Sequence, residues 1–286
     1  LIHPNATEAS LLAQRSNNLK PSVLREPNVL SALTGQAVDI LPWEVSVIEA
    51  NNLTWHPAPN FQTYSVYTRW LDRQNLVHYQ QHPPTRLLYS FMSIDGRHPY
   101  FDQPQTNAFL LCHYQPMTQP AQLTQSIGEA LILQPRAQPI CDPNRALPVA
   151  ERTVAWGEAI DLNAIRASYG AASGNRLVAR IDFRHSLLGK LTNFLFRTPP
   201  VYLKALYADG QSHFYRLVVD NAQSDLVVGS LPGSLAEVFQ DFNGQDSANP
   251  VVAMLIVSPN QTVFQPQIHL MFSRIPLGAN STPAIP

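Results

Sequence analysis

The sequence predicts an α+β protein, with an N-terminal α/β layer followed by an antiparallel, jelly-roll-like β-sandwich. Three observations predict it. As far as about residue 135, short apolar runs alternate with stretches at helical spacing, as where helices cover a sheet. From Arg176 onward the apolar period is two, the mark of strands with one buried face. Between them Pro135, Pro139, Pro143 and Pro148 exclude a continuous helix and set a boundary. The resulting division is an arm at 1–30, an α/β domain at 31–138, a sandwich domain at 149–277 and a tail at 278–286.

The elements follow in order. Within the polar arm, Glu8 to Arg15 reads as one short helix. Ala37 to Leu41 is an apolar run stopped by Pro42 and reads as a buried strand. Trp43 to Ala50 places Val47, Ile48 and Ala50 near helical spacing. Leu53-Thr54-Trp55 is a second extended piece, closed by His56-Pro57-Ala58-Pro59. Thr68 to Gln80 reads as an amphipathic helix in which Trp70, Leu71, Asn75, Val77 and His78 alternate with Asp72 and Arg73. Arg86 to Phe91 is a third strand, and Asn107 to Tyr114 fits helix or strand equally. In the second half, Arg176 to Phe183 alternates apolar and polar residues. Val201 to Tyr207 and His213 to Val219 flank Asp209-Gly210, a hairpin turn signal. Val251 to Val257 and Gln267 to Phe272 are further strands, with a short helix at Ser234 to Asp241 between. The expected total is about seven to nine strands in two antiparallel sheets.

Composition excludes several functions. The 286 residues carry 19 Lys+Arg against 20 Asp+Glu, and only 14% of residues are charged. A net charge of −1 argues against nucleic-acid binding through bulk positive charge. The 25 prolines suit extended segments and rigid loops better than long helices. No apolar run approaches the roughly 20 residues of a transmembrane helix. The start, Leu1-Ile2-His3-Pro4, has neither an initiator Met nor a signal-peptide pattern, which suggests a mature product or a portion of a longer chain. Cys112 and Cys141 sit in no metal-ligand spacing. They are either two buried thiols or one disulfide, worth roughly 3 kcal/mol and dependent on an oxidising compartment.

Motifs exclude more. Phosphate-cradling glycine loops, a nucleophile elbow and H-E-x-x-H are absent, and the histidines are scattered, so no cofactor and no metal site is expected. The densest polar cluster is Ser93 to Asp102, after the third strand, where α/β layers commonly hold ligands. Asp95, Arg97, His98 and Asp102 there supply an acid, a base and an anion clamp, or alternatively a turn latched by Arg97 on Asp95, Asp102 or Asp39. A second cluster is Asp39, Trp43, Glu44, Trp55, His56, Gln62, Tyr64 and Tyr67. Aromatic rings beside Asp, Glu, Gln and His are what a sugar-binding cleft uses, though the same rings also suit packing between layers. Asp39 with Glu44 forms a candidate glycosidase pair. A third feature, the apolar stretch from Leu187 to Phe196, offers Leu191, Phe194, Leu195 and Phe196 either to a membrane or partner or as a cap on the sandwich.

Three blocks carry a resemblance. They are Gly35 to Glu44 with Asn52 to Pro59 and Gln62 to Thr68, then Ser93 to Arg97, then Leu188 to Leu191 with Leu195 to Val201, Asp209-Gly210 and Tyr215 to Leu217. Together they resemble, in patches over about residues 30–275, the extracytoplasmic portion of uncharacterised bacterial polytopic membrane proteins. The membrane part of those proteins looks like lipid-linked-sugar glycosyltransferases. Where that family often has Pro-Arg-Pro, this chain has Pro57-Ala58-Pro59, so an anion held by that arginine would have no counterpart here. The resemblance implies a periplasmic or cell-surface domain, anchored through helices outside this chain. The expected function is a binding or accessory module for a glycan or lipid-linked sugar. The alternatives are a carbohydrate-active enzyme using Asp39, Glu44 or Asp95 as acid and base, and a purely structural interaction domain. The candidate ligand-binding residues are Asp39, Trp43, Glu44, Trp55, His56, Gln62, Tyr64, Asp95, Arg97 and His98.

Overall fold

The apolar run AVDIL forms strand β1 (Ala37–Leu41), and β3 (Arg86–Tyr89) lies parallel beside it with Val38 to Leu41 facing Arg86 to Tyr89. Both are buried along most of their length, which is why they read as continuous apolar runs. This computed structural model describes residues 4–170, 174–187, 189 and 199–278. The first-half sheet continues with β2 (Thr54–Trp55) parallel on the other side of β1. Antiparallel strands β4 (Tyr114–Pro116), β5 (Ala121–Thr124) and β6 (Gly128–Pro135) complete it beyond β3. The helices of this half are α1 (Pro4–Leu19), α2 (Pro27–Leu33), α3 (Ser46–Ala50), α4 (Arg69–Gln81), α5 (Pro99–Asp102) and α6 (Pro104–His113). The stretch from Asn107 that fitted helix or strand is thus the body of α6, and Tyr114 opens β4.

Helix α4 begins at its Thr68 cap, as the pattern predicts, but buries a different face. Its buried residues are Asp72, Asn75 and Tyr79, while Trp70 is 67% exposed. The reason is long-range hydrogen bonding. The Asp72 carboxylate accepts from the Gln105 and Thr106 backbone N–H groups at 2.8 and 3.1 Å, capping α6 from another helix. Asn75 exchanges bonds with Asn60 and Gln103.

The second half holds two four-stranded antiparallel sheets. One contains β8 (Ile160–Asp161), β10 (Val201–Tyr207), β11 (Ser212–Leu217) and β13 (Val251–Val257), in the order β11-β10-β13-β8. The other contains β7 (Leu147–Ala155), β9 (Asn175–Asp182), β12 (Leu226–Val227) and β14 (Gln267–Pro276), in the order β12-β9-β14-β7. Helix α7 (Leu162–Ala167) follows β8, and α8 (Leu235–Phe242) precedes β13. On β10, Val201, Leu203, Ala205 and Tyr207 are all buried, the period-two face the sequence predicts. The architecture is α+β. Leu191, Phe194, Leu195 and Phe196 fall outside the described residues, while Leu187 at the start of that apolar stretch is exposed.

No regular helix crosses Pro139 and Pro143: a short 3-10 turn spans Pro143–Arg145, and Pro148 lies inside β7. The main core is not confined to one side of this segment, although a second buried cluster around Val38, Ile40 and Leu88 lies wholly in the first half. One buried cluster takes Leu87, Leu110 and Leu131 from the first half and Val178, Leu203 and Leu270 from the second. Cys112 on α6 and Cys141 form a disulfide, which ties the proline-rich segment to the first half. Arg176 on β9 pairs with Asp241 on α8, both buried, and Tyr100 on α5 donates to Asp241 at 3.0 Å.

Candidate functional site

The chain leaves β3 at its C-terminal end and turns at Asp95 and Gly96, both at positive φ of 56° and 66°. This places Arg97 inward, 2% exposed, where its Nη1 donates to the Asp102 carboxylate at 3.1 Å and to the Tyr64 carbonyl at 2.9 Å. Asp95 lies 3.7 Å from its Nη2, and the guanidinium stacks on the Tyr67 ring at 4.8 Å. Two of the three expected carboxylates therefore pair with Arg97. Asp95 also reaches Arg216 of β11 at 3.3 Å, and the Arg216 N–H donates to the Gly96 carbonyl at 2.8 Å. The loop is thereby fastened to the second-half hairpin. Burial pushes the Asp102 carboxyl up to about 6, against the lowering effect of Arg97.

His98 is buried beside it. Its Nδ1 accepts from the Tyr100 N–H at 3.1 Å, so its proton sits on Nε2, which faces the Pro232 carbonyl at 2.9 Å. Both nitrogens are occupied, and burial holds the imidazole neutral, with its pKa lowered to about 4. What His98 offers outward is its ring. Phe91 lies 5.7 Å from it and Tyr215 5.1 Å, and His213 follows at 6.2 Å from Tyr215. These rings line a cleft of about 450 Å³ between the 93–99 loop, the β10–β11 hairpin and the start of α8. Its polar wall is Ser93, Asp209, Gln211, Glu237 and Asn249.

Hydroxyl proton accounting fixes the cleft's polarity. Tyr207 donates to the Leu231 carbonyl at 3.0 Å, and its oxygen lies 2.8 Å from that of Tyr215. Each phenol has one proton, so Tyr215 donates to Tyr207 and keeps its lone pairs as acceptors.

No known protein family, curated protein or solved structure matches the chain.

The other sequence candidates lie elsewhere, and none of them lines this cleft. Asp39, on β1, accepts from Tyr79 Oη at 2.7 Å, Ala58 N–H at 3.2 Å and its neighbour Ile40 at 2.8 Å. Burial raises its pKa, while the donors, including the Trp55 side chain, pull it back. It braces the bend that begins at His56. Trp43 packs edge-on against Tyr64 at 5.4 Å, and Trp55 against Phe61 at 5.5 Å. Glu44 accepts from Ser46, and the Gln62 carbonyl accepts from the Ser65 hydroxyl at 2.7 Å. His56 bonds the His82 carbonyl at 3.0 Å and its ring lies 5.1 Å from His78. Among the described residues no group of three His, Cys, Asp or Glu is placed to hold a metal ion. The residues that sequence reasoning missed include Tyr207, Asp209, Gln211, His213, Tyr215, Glu237 and Asn249. Their one visible signal is the aromatic alternation, Tyr207, His213 and Tyr215, on either side of the Asp209-Gly210 turn.

Proposed function

We propose that this chain is an extracytoplasmic binding or accessory domain of a membrane-anchored cell-envelope protein, and that the cleft between loop 93–99 and the β10–β11 hairpin holds a glycan or lipid-linked sugar. The observation that carries this reading is the cleft's lining. A row of aromatic rings suits the CH faces of sugars, and Gln211, Asn249, Asp209 and Glu237 supply hydrogen-bonding partners for hydroxyls. The position supports it, since the loop follows a parallel strand at its C-terminal end. Location is supported by the Cys112–Cys141 bond, which persists in oxidising compartments, and by the resemblance in the three sequence blocks. Among the described residues no helix is long and apolar enough to cross a membrane, so the anchor in this reading lies outside them. We also take the two four-stranded sheets as the faces of a jelly-roll-like sandwich, whose buried residues belong to one cluster.

Binding is favoured over turnover because the acids whose pKa burial raises, Asp39, Asp72 and Asp102, line none of the principal cavities. Glu44 and Asp95 do not line them either. The test is a glycan array followed by calorimetry on the captured sugars. His213→Ala and Gln211→Ala change exposed side chains, so each should weaken binding at least fivefold with the melting temperature unchanged. If the array captures no glycan, or both variants bind as the parent does, the assignment of the cleft falls.

A further inference from the structure

The charge inside the cleft selects among sugars, and this step rests on the glycan reading above. Of the side chains lining it, Arg97 is the one whose charge is permanently positive, and its guanidinium is turned inward onto Asp102, Asp95 and the Tyr64 carbonyl. Its charge is opposed by these two carboxylates, while its buried Nε and Nη2 have no hydrogen-bond partner among the described residues. Asp209 and Glu237 are acidic side chains of the wall, and neither forms an ion pair with a cation among the described residues. Asp209 is held by the Gln211 N–H at 2.9 Å, and Glu237 by the Gly233 N–H at 3.1 Å and the Ser234 hydroxyl at 3.2 Å. Two lone pairs remain on Tyr215 once its proton is committed to Tyr207. The wall is thus acceptor-rich and negative, beside a row of aromatic faces. Burial and the Tyr215 contact raise the Tyr207 phenol first, and the fields of Glu237 and Asp209 raise it further, which places both carboxylates within electrostatic reach of the cleft floor.

We propose that the cleft takes an amine-bearing sugar, its ring against Tyr215 and His213 and its ammonium drawn to the carboxylates of Asp209 and Glu237. An ammonium gains there twice, from the carboxylates and from the aromatic faces, whereas a sugar carboxylate or phosphate would meet uncompensated like charge.

The probes are a glucosamine tetrasaccharide, its fully N-acetylated counterpart and spermidine, titrated by calorimetry into the parent protein, Asp209→Asn and Glu237→Gln. Both substitutions keep the side-chain shape and the acceptor oxygen that serve the turn and the helix cap. The free-amine sugar should bind at least tenfold tighter than the N-acetylated one at low salt. Each variant should weaken it about fivefold and leave the N-acetylated sugar unchanged. Equal or tighter binding of the N-acetylated sugar overturns the ammonium inference while the glycan reading stands. Spermidine binding as tightly as the amine sugar overturns it from the other side, because the cleft would then read charge without a sugar. Binding of none of the three overturns this inference, and the glycan array then decides the glycan reading on its own.

Discussion

His98 carries its proton on Nε2 because Nδ1 is already filled by the Tyr100 N–H, so burial and hydrogen bonding together keep the ring neutral. Its folded-state pKa, lowered to about 4, lies below the unfolded value of 6.5. The unfolded chain therefore takes up the proton first, and stability is lost as pH falls from 6.5 toward 4. Asp102 acts in the opposite sense: its pKa is raised to about 6, so its contribution is full on the acid side and lost as pH rises through that value. Comparing the parent with His98→Gln cancels the Asp102 part. The parent should lose about 3 kcal/mol relative to the variant between pH 6.5 and 4, measured by urea unfolding; parallel curves would show that His98 is not held neutral. Arg97 gives the second expectation at this scale. Arg97→Ala leaves Asp102 buried without its cation and should cost about 3–5 kcal/mol, and an unchanged melting temperature would remove the latch. The latch was legible in the sequence, because an arginine beside two acids in a charge-poor chain needs a carboxylate. The role of His98 was not, because its two partners are a backbone N–H two residues on and the carbonyl of Pro232.

Elements show the same division between local and distant causes. The first strand, its period-two face and the turn were legible because all three are local, whereas the second strand runs Ser212–Leu217 rather than from His213 to Val219. Tyr207 and Gln211 close the turn at 2.9 Å, and Gly210 sits at φ 85°. Nothing lies within 4 Å of an added Cβ there, so Gly210→Ala is a purely conformational change. It should cost about 1 kcal/mol of stability and, because Asp209 adjoins it, weaken ligand capture by the cleft. A variant as stable as the parent would mean that the turn relaxes without penalty. Helix α4 was legible in extent and not in orientation. A helical wheel ranks Trp70 as core and Asp72 as surface, and only the fold reveals that Asp72 caps α6. Asp72→Ala removes that acceptor from two backbone N–H groups and the Thr106 hydroxyl, and should lower the unfolding free energy by about 2 kcal/mol, where an ordinary exposed Asp→Ala would change it by less than about 0.5 kcal/mol.

At the scale of the whole molecule, the proline-rich segment reads in the sequence as a boundary, because backbone chemistry there excludes a regular helix. What the sequence does not display is how the halves are joined, since each joining contact links residues far apart in the chain. The Cys112–Cys141 bond, one of the two readings the cysteines allowed, pins the proline-rich segment to α6 across a sequence separation of 29. Arg176, Asp241 and Tyr100 connect β9, α8 and α5, and the Arg216 N–H bonds the Gly96 carbonyl. The cleft is built on that junction, with its aromatic row shared between loop and hairpin, so ligand binding depends on the halves being docked. A shared core, a buried ion pair and a cleft spanning both halves predict that they unfold as one unit. Calorimetry should show a single transition whose van't Hoff and calorimetric enthalpies agree. The double variant Cys112→Ser/Cys141→Ser should lose about 3 kcal/mol and still unfold in one step, because the packing that couples the halves does not depend on the bond. Two transitions in the parent would mean that the halves hold separate cores. A single transition that splits only in the double variant would assign the coupling to the disulfide alone. The amine-sugar probe adds a check on the same point, for a ligand seated across the junction must raise the one transition as a whole, by an amount set by its concentration relative to its Kd.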